Sequence, residues 1–171
     1  DSKNVHTVAR TVDEVLLMAN RYRSWGASLI DLGGQSSHFD NPTIEVADEI
    51  SRVVPAIEAL AAEDHLVAID TWKPAVARAA LDAGAVLVND TGGLKDPEMR
   101  EVVASYGAAA IAVYVEGDNP HEVGAVEVRA DKAAATAGFF TELLSDLDGG
   151  GVRNVILDPG IALNYRGDYD A

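Results

Sequence analysis

Asp31, Asp70, Asn89 and Asp158 each stand at the end of a short apolar run, just ahead of a loop. The segments are Asp31-Leu32-Gly33-Gly34, Ala68-Ile69-Asp70-Thr71, Asn89-Asp90-Thr91-Gly92-Gly93-Leu94 and Asp158-Pro159-Gly160. In each, a carboxylate or amide falls where a buried strand meets its loop, the end at which parallel βα proteins keep their chemistry. Four such acceptors aimed at one mouth suit the binding of a small molecule and the stabilisation of charge on it.

Composition narrows the partners. The 171 residues are 48% hydrophobic and carry a formal charge of −15, with no run of 18 apolar residues. A chain this acidic is repelled by nucleic acid and by anionic membrane surfaces, and it lacks a membrane span, so neither is expected as a partner. The absence of cysteine excludes disulfides, thiolate nucleophiles and cysteine-ligated zinc, and suits a cytoplasmic location. The chain begins at Asp1 without an initiator methionine or signal-like segment, so a native N-terminus further upstream is expected.

The elements that must hold these residues alternate regularly. Thr11-Val12-Asp13-Glu14 fits a capping box that opens a helix ending before Gly26. A strand over 28–32, a polar loop over 33–43 and a helix over 45–62 follow. Next come a strand over 66–70, an Ala-rich helix begun by Pro74, and a strand over 85–89. Asp96-Pro97 starts another helix, which delivers a strand over 108–115. A last helix over 126–147 leads to a strand over 154–157.

Five strands alternating with five helices specify a parallel sheet, either doubly wound or a TIM-type (βα)8 barrel. Polar ends favour the barrel, because a doubly wound sheet uses the strand ends at one switch point, whereas four of these five end in Asp or Asn. A closed barrel needs upwards of about 200 residues. The expectation is therefore one domain over 1–171 holding about five βα units of an incomplete barrel, without its first strand and last two to three units.

The segments 26–37, Ala68-Ile69-Asp70-Thr71, 84–94 and 157–161 resemble dihydropteroate synthase, whose patterns are G-A-x-I-I-D-I-G-G-E-S-T-R-P-G, S-I-D-T, G-A-x-x-I-N-D-I-S-G-L and L-D-P-G-I-G-F. The resemblance implies a pterin-binding barrel that joins 6-hydroxymethyl-7,8-dihydropterin pyrophosphate to p-aminobenzoate in folate biosynthesis. It further implies Mg2+ held through the substrate pyrophosphate, no metal ligand of this chain's own, and pairing into a homodimer. Asp70, Asn89, Asp158 and Asp31 would bind the pterin, whose donor-rich edge calls for rigid acceptors. By the resemblance, Asp70 is also the catalytic residue, stabilising positive charge on the pterin methylene as pyrophosphate leaves. Asp90 and Asp96 read as structural, a turn residue and a helix N-cap.

Departures from the pattern are equally informative. Ser36-Ser37-His38-Phe39-Asp40 replaces Ser-Thr-Arg-Pro-Gly, so on the aminobenzoate side, at Ser37 and His38, a permanent guanidinium becomes an imidazole. Val113-Tyr114 replaces Met-His, and Ala162-Leu163-Asn164-Tyr165 replaces Gly-Phe-Gly-Lys. His6, His65 and His121 read as surface positions. Lys73 and Lys95 fall just past strands, at helix starts. The Gly33-Gly34-Gln35-Ser36 turn offers N–H groups to a phosphate, although a double glycine is common at such turns. Besides an active synthase, the sequence leaves open a divergent pterin- or folate-binding paralogue, a methyl-folate-dependent methyltransferase-like barrel, and an unrelated (βα) barrel. The last would want a Schiff-base Lys or a Glu base at a strand end, and neither is seen.

Overall fold

A computed structural model of the chain describes residues 8–36, 41–122 and 131–161. The element order is α1 (Val12–Ser24), β1 (Ile30–Gly33), α2 (Val46–Ala62), β2 (Val67–Asp70), α3 (Pro74–Asp82), β3 (Leu87–Asp90), α4 (Pro97–Tyr106), β4 (Ala109–Val113), α5 (Lys132–Leu147) and β5 (Asn154–Asp158). The strands form one parallel sheet in the order β1-β2-β3-β4-β5. A doubly wound sheet breaks sequence order at its switch point. This sheet does not, which is the arrangement of a barrel wall, and its five βα units make a partial TIM-type barrel.

Local chemistry sets the helix starts. Thr11 caps α1 by accepting from Glu14 N at 3.2 Å, while the Glu14 carboxylate accepts from Arg10 N at 2.6 Å. Asp96 caps α4 through Glu98 N at 2.8 Å, and Pro97 and Pro74 occupy first turns, where a missing N–H costs nothing. Of the helix expected over 126–147, residues 126–130 lie outside the described residues; α5 starts at Lys132, where Asp131 caps it by accepting from Ala134 N at 3.0 Å. Strands expected from 28, 66, 85 and 108 begin one or two residues later, where the chain has left the preceding helix and meets a neighbour's ladder. Pro55 lies inside α2 without ending it. Its ring is on the exposed side, where water can satisfy the Ser51 carbonyl left without an N–H partner.

Helices cover one face of the sheet. Val67, Ile69, Val88, Ala110 and Ala112 are buried there against Val53, Ile57 and Leu60 of α2, Val76 and Ala80 of α3, and Met99 and Val102 of α4. Each fully buried Val, Leu, Ile or Met side chain among these contributes about 1.5–3 kcal/mol. The other face carries the acceptors. Among the described residues, no helix is long and apolar enough to cross a membrane.

Candidate functional site

Register decides which side chains share a face. Gly33 pairs with Asp70 and Asp31 with Ala68; Asp70 pairs with Asn89, Asn89 with Ile111, Ile111 with Ile156 and Val113 with Asp158. Side chains alternate along a strand, so Asp31, Asp70, Asn89, Ile111, Val113 and Asp158 all project from the face opposite the helices. They form a staircase: Asp31 one side-chain layer below, Asp70 and Asn89 level, and Asp158 one layer above. Adjacent strands lie about 4.8 Å apart, so Asp70 and Asn89 stand side by side, whereas Asp158 lies about 10 Å across from Asn89, beyond apolar β4. Acceptors at both ends of an apolar strip fit a flat, donor-edged molecule. All four acceptors expected from the sequence are thus brought to one face.

Their environments differ. Asn89 Nδ2 donates to Asp31 Oδ2 at 2.9 Å, and Asn89 Oδ1 is buried with no partner among the described residues. Withdrawal from water raises the Asp31 pKa, and the Asn89 hydrogen bond opposes the rise. Asp70 is pushed up to about 8, first by burial and then by the nearby negative groups Asp31, Glu49 and Asp90. Its contact from Thr91 Oγ1 is long, at 3.5 Å, and gives little relief. Asp70 is therefore largely protonated at neutral pH in the free chain. Asp158 is exposed and accepts from Gly160 N at 2.8 Å through Oδ1.

Asp90 faces the helix side and has a different task. Its two oxygens accept from Gly92 N and Leu94 N, each at 2.7 Å, and it is almost wholly buried. Burial lifts its pKa to about 6 against those two hydrogen bonds. Asp90 and Asp96 are structural, as the sequence indicates. A cavity of about 320 Å³ between Trp72, Gly92, Lys95 and Asp118 adjoins this turn and stands apart from the acceptor face.

Sequence reasoning missed the support behind Asp70. Glu49 of α2 is 1% exposed, accepts from Thr71 Oγ1 at 3.0 Å and pairs with Lys73 Nζ at 2.7 Å. Lys73 Nζ also donates to Gln35 Oε1 and Ile44 O, both at 2.7 Å. The signal was present: Glu49, Val53 and Ile57 are spaced by four, so the apolar stripe of α2 already held a carboxylate needing a buried cation. Gly34 packs against the same helix, where an added Cβ would lie 2.8 Å from Val53 Cγ1. Close packing on α2 thus accounts for this glycine without a phosphate.

Two histidine expectations are corrected. His65 is buried rather than on the surface, because the turn after α2 folds it inward. His121 is half-buried and tied to other loops, with Nδ1 3.0 Å from Thr43 Oγ1, Nε2 3.0 Å from Ser36 O, and its ring 5.0 Å from that of Trp72. Tyr114 bears on the helix side, its ring 5.4 Å from that of Phe139 in α5, so this half of the Val113-Tyr114 departure falls away from the acceptors, while Val113 projects among them. Ser37, His38, His6 and 162–165 lie outside the described residues.

The model of the pterin binding enzyme family matches residues 1–168. The chain belongs to that family. Among the relatives of this chain is a probable bifunctional folylpolyglutamate synthase/dihydropteroate synthase of Haloferax volcanii, 39% identical over 155 residues, covering 88% of this chain and 18% of the relative. An inactive dihydropteroate synthase 2 of Mycobacterium bovis is 44% identical over 97 residues, 56% of this chain and 30% of that protein. The crystal structure of Burkholderia cenocepacia dihydropteroate synthase complexed with 7,8-dihydropteroate superposes with a TM-score of 0.81 at 31% identity, covering 91% of this chain and 56% of that one. The chain thus spans about half the length of the Burkholderia enzyme.

Proposed function

We propose that the protein is a dihydropteroate synthase and that this chain carries its ring-binding face, joining 6-hydroxymethyl-7,8-dihydropterin pyrophosphate to p-aminobenzoate in folate biosynthesis. One observation carries the reading: Asp70, Asn89 and Asp158 share a face, with the Asn89 amide turned by Asp31 so that its oxygen lacks a donor. A pterin edge supplies such donors.

In the transfer, the bond from the pterin methylene carbon to a pyrophosphate oxygen breaks, a bond from the amino nitrogen of p-aminobenzoate to that carbon forms, and the amine's proton passes to the departing pyrophosphate. Positive charge grows on the methylene as the leaving group departs. Asp70, neutral in the empty site, releases its proton to solvent as that charge and the ring donors arrive, and its carboxylate then stabilises them. A preorganised group of this kind is worth about 3–4 kcal/mol of barrier, by analogy with an oxyanion-hole donor. Mg2+ would enter with the pyrophosphate; among the described residues no cluster of three or more His, Asp or Glu is placed to hold it, so no step is assigned to it. A cytoplasmic location and a homodimer belong to the same proposal.

A second reading, a pterin binder without synthase activity, draws support from the 44% identity to the inactive Mycobacterium protein and from His38 in place of the pattern's arginine. Calorimetry with the pterin pyrophosphate, followed by assay of dihydropteroate formation in the intact protein, separates the two. Binding with product supports the synthase, binding without product supports the second reading, and absence of binding overturns both.

A further inference from the structure

Two side chains beside Trp72 hold the same stretch of chain at neighbouring points. Lys73 Nζ bonds Gln35 Oε1 and Ile44 O, and His121 bonds Ser36 O and Thr43 Oγ1. The crossover from β1 to α2 is therefore tied at two matched rungs, 35 to 44 and 36 to 43. The first rung is closed again by Ile44 N, which donates to Gln35 Oε1 at 3.3 Å. Trp72 contacts both grips: Lys73 Nζ lies 5.7 Å from its ring centroid, and the His121 ring is tilted against it at 58°.

The chemistry of each grip is fully specified. An ammonium has three N–H donors, and Lys73 spends them on Gln35, Ile44 and Glu49. Ser36 O can only accept, so His121 Nε2 carries the proton and, in the neutral ring, Nδ1 accepts from the Thr43 hydroxyl. His121 N donates to Asn119 Oδ1 at 3.0 Å, which fixes the residue within its own loop. Three βα connections, those after β1, β2 and β4, thereby meet at one point.

We propose that Lys73 and His121 act as one clamp, positioning residues that fix the neck of the β1–α2 crossover beside the β2 mouth and so set the geometry on the aminobenzoate side of the site. The clause about aminobenzoate rests on the synthase reading; the clamp itself does not. The rungs are adjacent and share Trp72, so loosening one frees the other.

His121→Phe keeps an aromatic ring against Trp72 and removes the second rung's hydrogen bonds. Thr43→Val, at an exposed position, breaks the same rung from the other side and serves if His121→Phe does not fold. The readout is hydrogen exchange at the Ile44 amide, which belongs to the first rung. It should quicken about tenfold in either variant, the scale of one net hydrogen bond. In the intact protein, the KM for p-aminobenzoate should rise about tenfold while pterin affinity holds within about twofold, as for a misplaced positioning element. Unchanged Ile44 exchange overturns the clamp, whatever the protein catalyses. Faster exchange with an unchanged KM overturns its role in the site. Failure of the unsubstituted protein to bind the pterin sinks the synthase reading, and the exchange result still decides the clamp.

Discussion

Asp31 turns the side-chain amide of Asn89, taking its Nδ2–H at 2.9 Å and leaving Oδ1 as an unmet acceptor at the wall of the mouth. A buried acceptor without a donor costs about 1–3 kcal/mol, and a ligand N–H recovers that energy. Asn89→Ala should therefore weaken pterin binding by about 1–3 kcal/mol. Asp31→Ala should weaken it by less, because it removes only the orientation. In the double variant the losses should fall short of their sum, and additive losses by calorimetry would remove Asp31 from this role.

Asp70 makes binding and stability depend on pH in a defined direction. Its folded pKa of about 8 lies above the ordinary 3.8, so its favourable contribution is complete below the unfolded value. That contribution is lost as pH rises towards 8, because the unfolded chain releases the proton first. Asp70→Asn should accordingly melt above the unsubstituted chain at pH 9 by at least about 1 kcal/mol of stability, with the gap closing at pH 4. For the intact enzyme, kcat/KM should rise with a midpoint near the free-enzyme value of about 8 and become flat and low in Asp70→Asn. A midpoint below 6 would show that another group governs the step.

Glu49 contributes to that elevated value from behind the strand. Glu49→Gln removes one negative neighbour and leaves the Lys73 cation less compensated, and both changes favour the Asp70 carboxylate. The pH midpoint should move down. A midpoint that stays in place by NMR titration of Asp70 would remove Glu49 from the groups that set it.

Asp90→Ala tests the turn that aims the β3 end. Two buried backbone N–H groups, of Gly92 and Leu94, would lose their acceptor, at a cost of about 2–4 kcal/mol. Chemical denaturation should show this loss, with Asp90→Asn retaining part of it.

Glycines in this chain divide by what surrounds them. Gly93 has φ +80°, and an added Cβ would lie 2.7 Å from Val113 O, so Gly93→Ala should destabilise by about 2 kcal/mol or more. Gly138 is exposed within α5 with nothing near its Cβ position, so Gly138→Ala should stabilise by about 0.5–1 kcal/mol. Opposite shifts in melting temperature are the expected outcome.

The strand ends were legible because each carries its own signal, an apolar run closed by a polar residue and a glycine or proline. Asn89 and Asp90 show the grain of that information. They are neighbours in sequence, and period-two alternation sends one to the mouth and the other to the helices. The network behind the site was not legible in the same way. Glu49 and Lys73 lie 24 residues apart, and His121 and Ser36 lie 85 apart, so their pairing exists only once α2 and three loops have packed. A buried charge announces that it needs a partner without saying which one.

Because neighbouring strands of the sheet are consecutive in sequence, none of its four pairings among the described residues skips over an intervening strand. Loop closure therefore spans a single crossover at every step, and the wall can be laid down in the order in which a ribosome delivers it. Asp70 and Asn89 come together when the second and third strands dock, before β5 and Asp158 are needed. The Asp70–Asn89 pair is thus assembled early, and Asp158 is the last of the four acceptors to arrive.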